Sequence, residues 1–399
     1  MRILYISDSY RPSRSACANR ACVLAEALLD AGHDVRVLAS SDSLIDADSD
    51  YKAPDYVTFF QTFPLKEKTL KNRLKNNFGG LVESFKMAKS MGSFDIVICT
   101  TPPLLIAIAA MKVAKRLNAR FVLDVRDIWP DVAYEMGAFT PRSLYGKFFE
   151  RVARNAYRMA DFVVSVSPGK VEKLRKCVSA NCADRVLLVP NGIDESFIGL
   201  DSDERVIERF ALDGGRKTCV YIGNVGLAQG LDSLLAIAEN RRDVRFLIFG
   251  TGADRAKLEA KAEREGLENV EFCGVIGPSE VKSVLENAAA SYIPLVSSRL
   301  SDSIPTKLYE ALACGCPVVL AAAGDSVRIL EESGLGAAVA PERQECLLRV
   351  FSKVIDSDWS DAQRGRARSY VAENHLRQQF AKTFVDAIET LDERAPVAY

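Results

Sequence analysis

Residues 301–321 read SDSIPTKLYEALACGCPVVLA. The stretch closes on an apolar run, Val318–Ala321, of the kind that suits a parallel strand covered on both faces. Before it, Leu308, Ala311 and Leu312 recur at helical spacing over Thr306–Cys314. Pro305 suits the first turn of that helix, where a missing N–H costs little, and Gly315 followed by Pro317 marks its stop. A helix that turns sharply into a buried strand is the repeating unit of a doubly wound α/β sheet.

The same alternation extends outward in both directions. Upstream, Cys219–Gly223, Arg245–Gly250, Val270–Gly274 and Tyr292–Leu295 read as strands. They are separated by helices at Leu231–Asn240, Ala253–Glu265 and from Glu280 onward, and Gly336–Ala340 reads as a short strand downstream. In the first half, strands at Ile3–Ser7, Val35–Ala39, Ile96–Thr100, Phe121–Asp127, Phe162–Ser167 and Val186–Val189 alternate with helices at Asn19–Ala31, Leu104–Leu117 and Leu144–Met159. A polar interval, Asn191–Arg216, divides the two series, with a linker near Asn191–Ser202. At 399 residues the chain exceeds what one core usually serves. The expected fold class is therefore α/β, with two Rossmann-like, doubly wound domains facing across a cleft. The expected division is residues 1–195, residues 196–375, and a terminal helix in 376–399 that returns to the first domain. Ligands of such sheets gather at the carboxyl ends of the strands.

Composition excludes several classes. A formal net charge of −1 gives no global reason to expect a nucleic-acid partner. The ten cysteines include Cys99, Cys219 and Cys273 inside apolar runs and no C-x2-C pair, which points to free thiols rather than a metal site. No metal is expected. Met1–Ser7 runs straight into a strand without the regions of a signal peptide, and the longest apolar stretch, Leu104–Ala114, is too short to span a bilayer, so a cytoplasmic location is expected. His33 and His375 are the only histidines, which all but removes histidine-based triads. Gly32 and His33 read as a helix-to-strand turn.

The amino end of the helix that follows Pro305 offers unpaired N–H groups and the positive end of a dipole, a ready seat for a diphosphate. Thr306 lies in that first turn, and Lys307 adds a full cation. Glu310, three residues on, shares its face and is placed to accept ribose hydroxyls; the alternative is a simple exposed helix pair.

This stretch resembles the carboxyl-terminal signature of the retaining GT-B glycosyltransferases of family four. There, two acids separated by seven residues precede an A-x-G-x-P-V-V strand entry; here they are Asp302 and Glu310. The P-T-K variant is similar to the branch that includes the fucosamine transferase of O-antigen synthesis. The resemblance covers most of the chain, because residues 221–231, YIGNVGLAQGL, also match that branch. Gly223 opens this loop, and Asn224 and Gln229 stand where the wider family carries an Arg and a Lys on the donor diphosphate. Diphosphate binding then rests on backbone N–H groups and Lys307, with Arg299 in support. Gly250, Gly252 and Ile276 are implied to line the nucleotide and its base. In the first domain, Arg14 and Ser15 fall in the loop that faces the donor phosphates in the family; a solvated cation is the other reading of Arg14. Residues 124–131, DVRDIWPD, resemble the same branch. Asp127 is the candidate for touching the acceptor hydroxyl or transferred sugar and Arg126 for orienting it, with an internal Arg–Asp pair as the alternative.

The resemblance implies transfer, with retention, of a sugar from a nucleotide sugar, a UDP-sugar above all, to a glycan or polyprenyl-diphosphate-linked acceptor. No cofactor beyond the donor is implied. A sugar-nucleotide epimerase and a non-catalytic nucleotide-sugar binder remain open. Lys66–Lys89 holds seven Lys or Arg, two Glu and interspersed Leu70, Leu74, Phe78, Leu81, Val82 and Phe85. It reads as a helix over the sheet or as peripheral membrane contact.

Overall fold

The computed structural model describes residues 1–393 apart from 14, 46, 48, 64–69, 136, 179–183 and 228. Arg14 and the start of the basic stretch, 66–69, therefore lie outside the described residues. The chain forms two compact units, residues 1–191 with 378–399, and residues 192–377.

The first unit is built on β1 (Arg2–Ser7), β2 (Asp34–Ser40), β3 (Val57–Phe60), β4 (Ile96–Thr101), β5 (Arg120–Val125), β6 (Phe162–Ser165) and β7 (Val186–Leu188). They pair in the order β3-β2-β1-β4-β5-β6-β7, all parallel. Side chains alternate between faces as strand geometry demands. Leu4 and Ile6 pack with the helices Leu104–Leu117 and Leu144–Met159, whereas Ile3 and Tyr5 pack with the helix Ala16–Asp30 on the other side. That second face is completed by the helix Arg377–Glu393, whose Ala381, Phe384, Val385, Ile388 and Leu391 are buried in the same cluster. Gly32 takes a φ of 85° just after that unit's first helix, which Gly adopts without strain.

The second unit carries β8 (Thr218–Ile222), β9 (Arg245–Phe249), β10 (Val270–Gly274), β11 (Ala290–Pro294), β12 (Val318–Ala321) and β13 (Gly336–Val339), ordered β10-β9-β8-β11-β12-β13 and again parallel. Val220, Leu247 and Phe249 face one core cluster, and Cys219, Tyr221, Phe246 and Ile248 face the other. The polar interval holds two short helices, Glu195–Ile198 and Glu204–Arg209, each capped by an Asp side chain. The two segments at the unit's edge bind each other: Ile193 N–H donates to His375 O and Arg377 N–H to Ile193 O, both at 2.8 Å.

Three expectations shift. The strand Val57–Phe60 is absent from the sequence reading; four residues at a sheet edge, two of them half-exposed, leave too short a pattern. The strand expected over Phe121–Asp127 stops at Val125, so Arg126 and Asp127 sit on the turn beyond it. The basic stretch is, from Leu70 on, a helix to Ser90 whose Leu81 and Phe85 pack inward on the core, while Phe78 points outward with 61% of its surface exposed.

Candidate active site

In the second unit the site is built at the carboxyl edge of β8, around the helix Thr306–Ala313. Pro305 is the residue just before that helix rather than within it: its ψ of 130° is extended, and no side chain caps the amino end. Unpaired N–H groups there keep the positive end of the helix dipole open. The loop before it is strapped down. Ser301 O accepts from Asp325 N–H at 2.8 Å, and Ser326 Oγ donates to Ser303 O at 2.5 Å. Gly324 permits this approach, since a Cβ there would lie 2.1 Å from Ser301 O. Asp302 is thereby fixed and buried, with 8% exposed.

Lys307 reaches back from the first turn to β8. Its Nζ donates to Tyr221 Oη at 2.9 Å and lies 4.2 Å from the centre of the Tyr221 ring, a cation–π contact. Tyr221 Oη in turn donates to Asn224 O at 2.6 Å. Gly223, with φ 141°, leaves the space: a Cβ there would stand 3.1 Å from Lys307 Nζ. Burial pushes the ammonium down to about 8, opposed by the Glu310 charge. Burial pushes the Glu310 carboxyl up, opposed by Lys307 and Arg377. The pair is therefore recessed and mutually dependent, not the solvated helix pair that the spacing alone also allowed.

Three strand ends meet beside it. Gly223 N–H donates to Phe249 O at 2.9 Å, Val225 N–H to Thr251 O at 2.9 Å, and Gly250 N–H to Gly274 O at 2.6 Å. A Cβ on Gly250 would fall 1.9 Å from Gly223 O, and one on Gly252 would fall 2.2 Å from Val225 O. Both glycines thus have a requirement of their own, close approach of backbones, before any ligand is considered. Gly250→Ala, at a φ of 128°, is expected to cost about 2–5 kcal/mol through clash and strain. A urea-unfolding midpoint equal to the parent's would refute that expectation. Ile276 is half-buried against the same core. Asn224 Nδ2 lies 3.5 Å from Gln229 Oε1, so the two amides face each other across the loop turn. Arg299 sits exposed on the short turn Ser298–Leu300, whose Ser298 N–H and Oγ bind Glu342 at 2.8 and 2.9 Å.

In the first unit, Ser15 caps the helix Ala16–Asp30 by accepting from Ala18 N–H at 3.1 Å, and its Oγ lies 3.0 Å from Ser9 Oγ. The Arg–Asp alternative is corrected. Arg126 donates to Thr100 Oγ1 at 3.0 Å and to Pro102 O, while Asp127, 42% exposed, stands 3.8 Å from the buried Lys170 ammonium. The internal pair is instead Arg20–Asp124, with side chains 4% and 0% exposed and a shortest contact of 2.7 Å. Nothing in local spacing marked it. Asp8, after β1, has its carboxyl pushed up to about 6 by burial, opposed by Arg126 and reinforced by Asp42. His375 packs between the Tyr309 and Tyr370 rings, each centred 5.0 Å away, and His33 lies by the amino terminus and Glu389. Among the described residues no cluster of three or more His, Cys, Asp or Glu is disposed to hold a metal.

Two family models match the chain, one over each of these parallel-sheet units. The model "Glycosyl transferases group 1" matches residues 202–373, and "Glycosyl transferase 4-like domain" matches residues 15–192. The chain belongs to the group 1 glycosyltransferases. Among curated relatives, this glycosyltransferase is 26% identical to the putative colanic acid biosynthesis glycosyl transferase WcaI of Escherichia coli K12, over 95% of this chain and 98% of that one. Among solved structures it superposes on sucrose-phosphate synthase from Thermosynechococcus elongatus with a TM-score of 0.80 at 17% identity, covering 99% of this chain and 100% of that one. Anabaena Alr3699/HepE in complex with UDP-glucose gives 0.70 at 16% identity, over 99% and 100%. The two Rossmann-like domains are those of the GT-B fold. In this glycosyltransferase Asn224 and Gln229 bring no charge to the loop after β8, which leaves Lys307 as the cation built into that strand end. Tyr221, which holds Lys307, is a site residue that the sequence reading passed over.

Proposed function

We propose that the protein transfers a hexosyl or N-acetylhexosaminyl group from a nucleoside-diphosphate sugar, a UDP-sugar in the first instance, to a glycan or polyprenyl-diphosphate-linked acceptor during surface-polysaccharide assembly. The observation that supports this most is the recessed Lys307 ammonium at an uncapped helix end. The bond that breaks joins the anomeric carbon to the diphosphate oxygen, and negative charge builds on the departing group. Lys307 and the N–H groups of Thr306 and Lys307 meet that charge without moving, which is where preorganised electrostatics contributes most. Glu310 accepts ribose hydroxyls, Asp302 faces the donor, and Asp127 receives the acceptor hydroxyl with Arg126 behind it. The relative WcaI, named for colanic acid biosynthesis, supports the polysaccharide setting. The UDP-glucose complex of HepE supports the donor class. Retention and the fucosamine-transferase branch follow from the resemblance of the Asp302–Glu310 signature. We assign no metal or cofactor beyond the donor, and place the reaction on the cytoplasmic side of the membrane.

The reading is tested by incubating the protein with UDP-, GDP- and ADP-sugars and polyprenyl-diphosphate-linked saccharides, and measuring nucleoside diphosphate release. Acceptor-dependent release from one donor class is expected. Epimerised nucleotide sugar without acceptor, or no turnover of any donor, would contradict it.

Protonation of Lys307 gives a pH dependence. The ammonium is charged below about 8 and loses its proton above it. Donor affinity is therefore expected to hold up to pH 8 and to fall by up to about tenfold per unit beyond it. Calorimetric titrations from neutral to alkaline pH check this; Lys307→Arg, which keeps its charge, is expected to flatten the slope.

A further inference from the structure

The helix Leu144–Met159 departs from the usual division of a surface helix. Its inner side is regular, with Phe149, Val152, Ala153, Ala156 and Tyr157 buried and the Trp129 and Phe139 rings each 5.6 Å from that of Phe149. Its first turn is well formed, because Ser143 Oγ accepts from Gly146 N–H at 3.0 Å. Yet that turn holds Leu144 85% exposed, Tyr145 58% and Phe148 49%. Leu144 and Phe148 are i,i+4 neighbours, so the three form one patch rather than scattered residues.

The rest of the outer side is cationic. Lys147, Arg151, Arg154 and Arg158 are exposed along it, and Arg142 lies just before the helix. Glu150, the only acid of the helix, is engaged by the Tyr134 hydroxyl at 3.0 Å. Among the described residues none of the five cations is held in an ion pair. Position adds to composition. Met159 is close to the start of β6 at Phe162, hence at the amino edge of the sheet. Sixteen helical residues span about 24 Å, which carries the first turn to the carboxyl edge, the edge of Arg126 and Asp127. Phe78, on the helix Leu70–Ser90, is exposed on the same side of the sheet.

We propose that Leu144, Tyr145 and Phe148, seated by Lys147, Arg151 and Arg154, form a docking surface for an anionic lipid bilayer. Aromatic and aliphatic side chains at a helix end suit the headgroup boundary, and unpaired cations beside them suit a negative leaflet. A second copy is disfavoured, since a two-fold contact through this patch sets like charges against each other. The surface stands on the helix alone and does not rest on the transfer reading. Where that reading also holds, docking sets the acceptor-side edge at the membrane that carries a lipid-linked acceptor.

The test uses the full chain in flotation with phosphatidylcholine vesicles, with and without about 30 mol % phosphatidylglycerol. Binding is expected only with the anionic lipid, weakening with salt. The triple variant Leu144→Ser/Tyr145→Ser/Phe148→Ser and, separately, Arg151→Glu/Arg154→Glu should each lose on the order of tenfold or more of it. Their thermal melting and donor binding should match the parent. Tyr145→Trp should shift its emission to the blue on adding anionic vesicles, which reports that this turn itself enters the interface. The proposal falls if the parent ignores anionic vesicles, if both variants bind them as the parent does, or if the triple variant instead disperses a dimer.

Discussion

Lys307→Ala is expected to lower acceptor-dependent turnover by about 10²–10³-fold, the usual loss when one preorganised partner of a developing negative charge is removed. No neighbour compensates, because the two residues that carry charge in the wider family are Asn224 and Gln229, whose amides face each other at 3.5 Å. The fold should not suffer. Lys307 Nζ donates to Tyr221 Oη at 2.9 Å, and burial already pushes its ammonium down, so removing it relieves a desolvation cost that offsets the lost attraction for Glu310. Initial rates and melting curves taken together check this. Turnover within a few-fold of the parent, in a folded variant, would remove Lys307 from the reaction.

Asp124→Ala is expected to cost about 3–5 kcal/mol of stability, because it strands a buried guanidinium. Arg20 Nε and Nη2 reach the Asp124 carboxylate at 3.0 and 2.7 Å, and Nη1 donates to Val189 O at 2.7 Å. The network joins the helix Ala16–Asp30, β5 and the segment after β7, all within the first unit. For a unit of this size each kcal/mol lowers Tm by roughly 2–4 °C, so a drop of about 10 °C is expected. Replacing both partners by apolar residues, Arg20→Met with Asp124→Leu, should recover most of it, since the pair's worth lies in neither charge being left alone. Calorimetry of the single and double variants separates the outcomes; a silent Asp124→Ala would mean that the pair holds nothing.

What was legible in the sequence follows from range. The buried strands announced themselves because parallel strands covered on both faces are built on continuous apolar runs, as residues 96–99 and Val318–Ala321 are. The helix after Pro305 and its Lys307–Glu310 spacing were equally local. Partners across the sheet were not. Tyr221 and Lys307 are 86 residues apart and Arg20 and Asp124 are 104 apart, separations that no periodicity encodes. Gly250 shows the mixed case: its place at a strand end was readable, but the need for it comes from Gly223 O, which only the fold brings near. Arg126 and Asp127 lie on the turn just past β5, and the alternative reading of them as an internal pair gave way to Thr100, Pro102 and Lys170.

The central claim is that the amino end of the helix Thr306–Ala313, with Lys307 and Glu310, seats a nucleoside-diphosphate sugar. Saturation-transfer NMR of the purified protein against UDP-, GDP-, ADP- and CMP-sugars, repeated with Glu310→Ala and Lys307→Ala, tests it most directly. The account predicts transfer to the ribose and sugar protons of one nucleoside-diphosphate sugar, lost in both variants while circular dichroism stays unchanged. Equal transfer in the parent and both variants, or none to any nucleotide sugar in a folded parent, would contradict it.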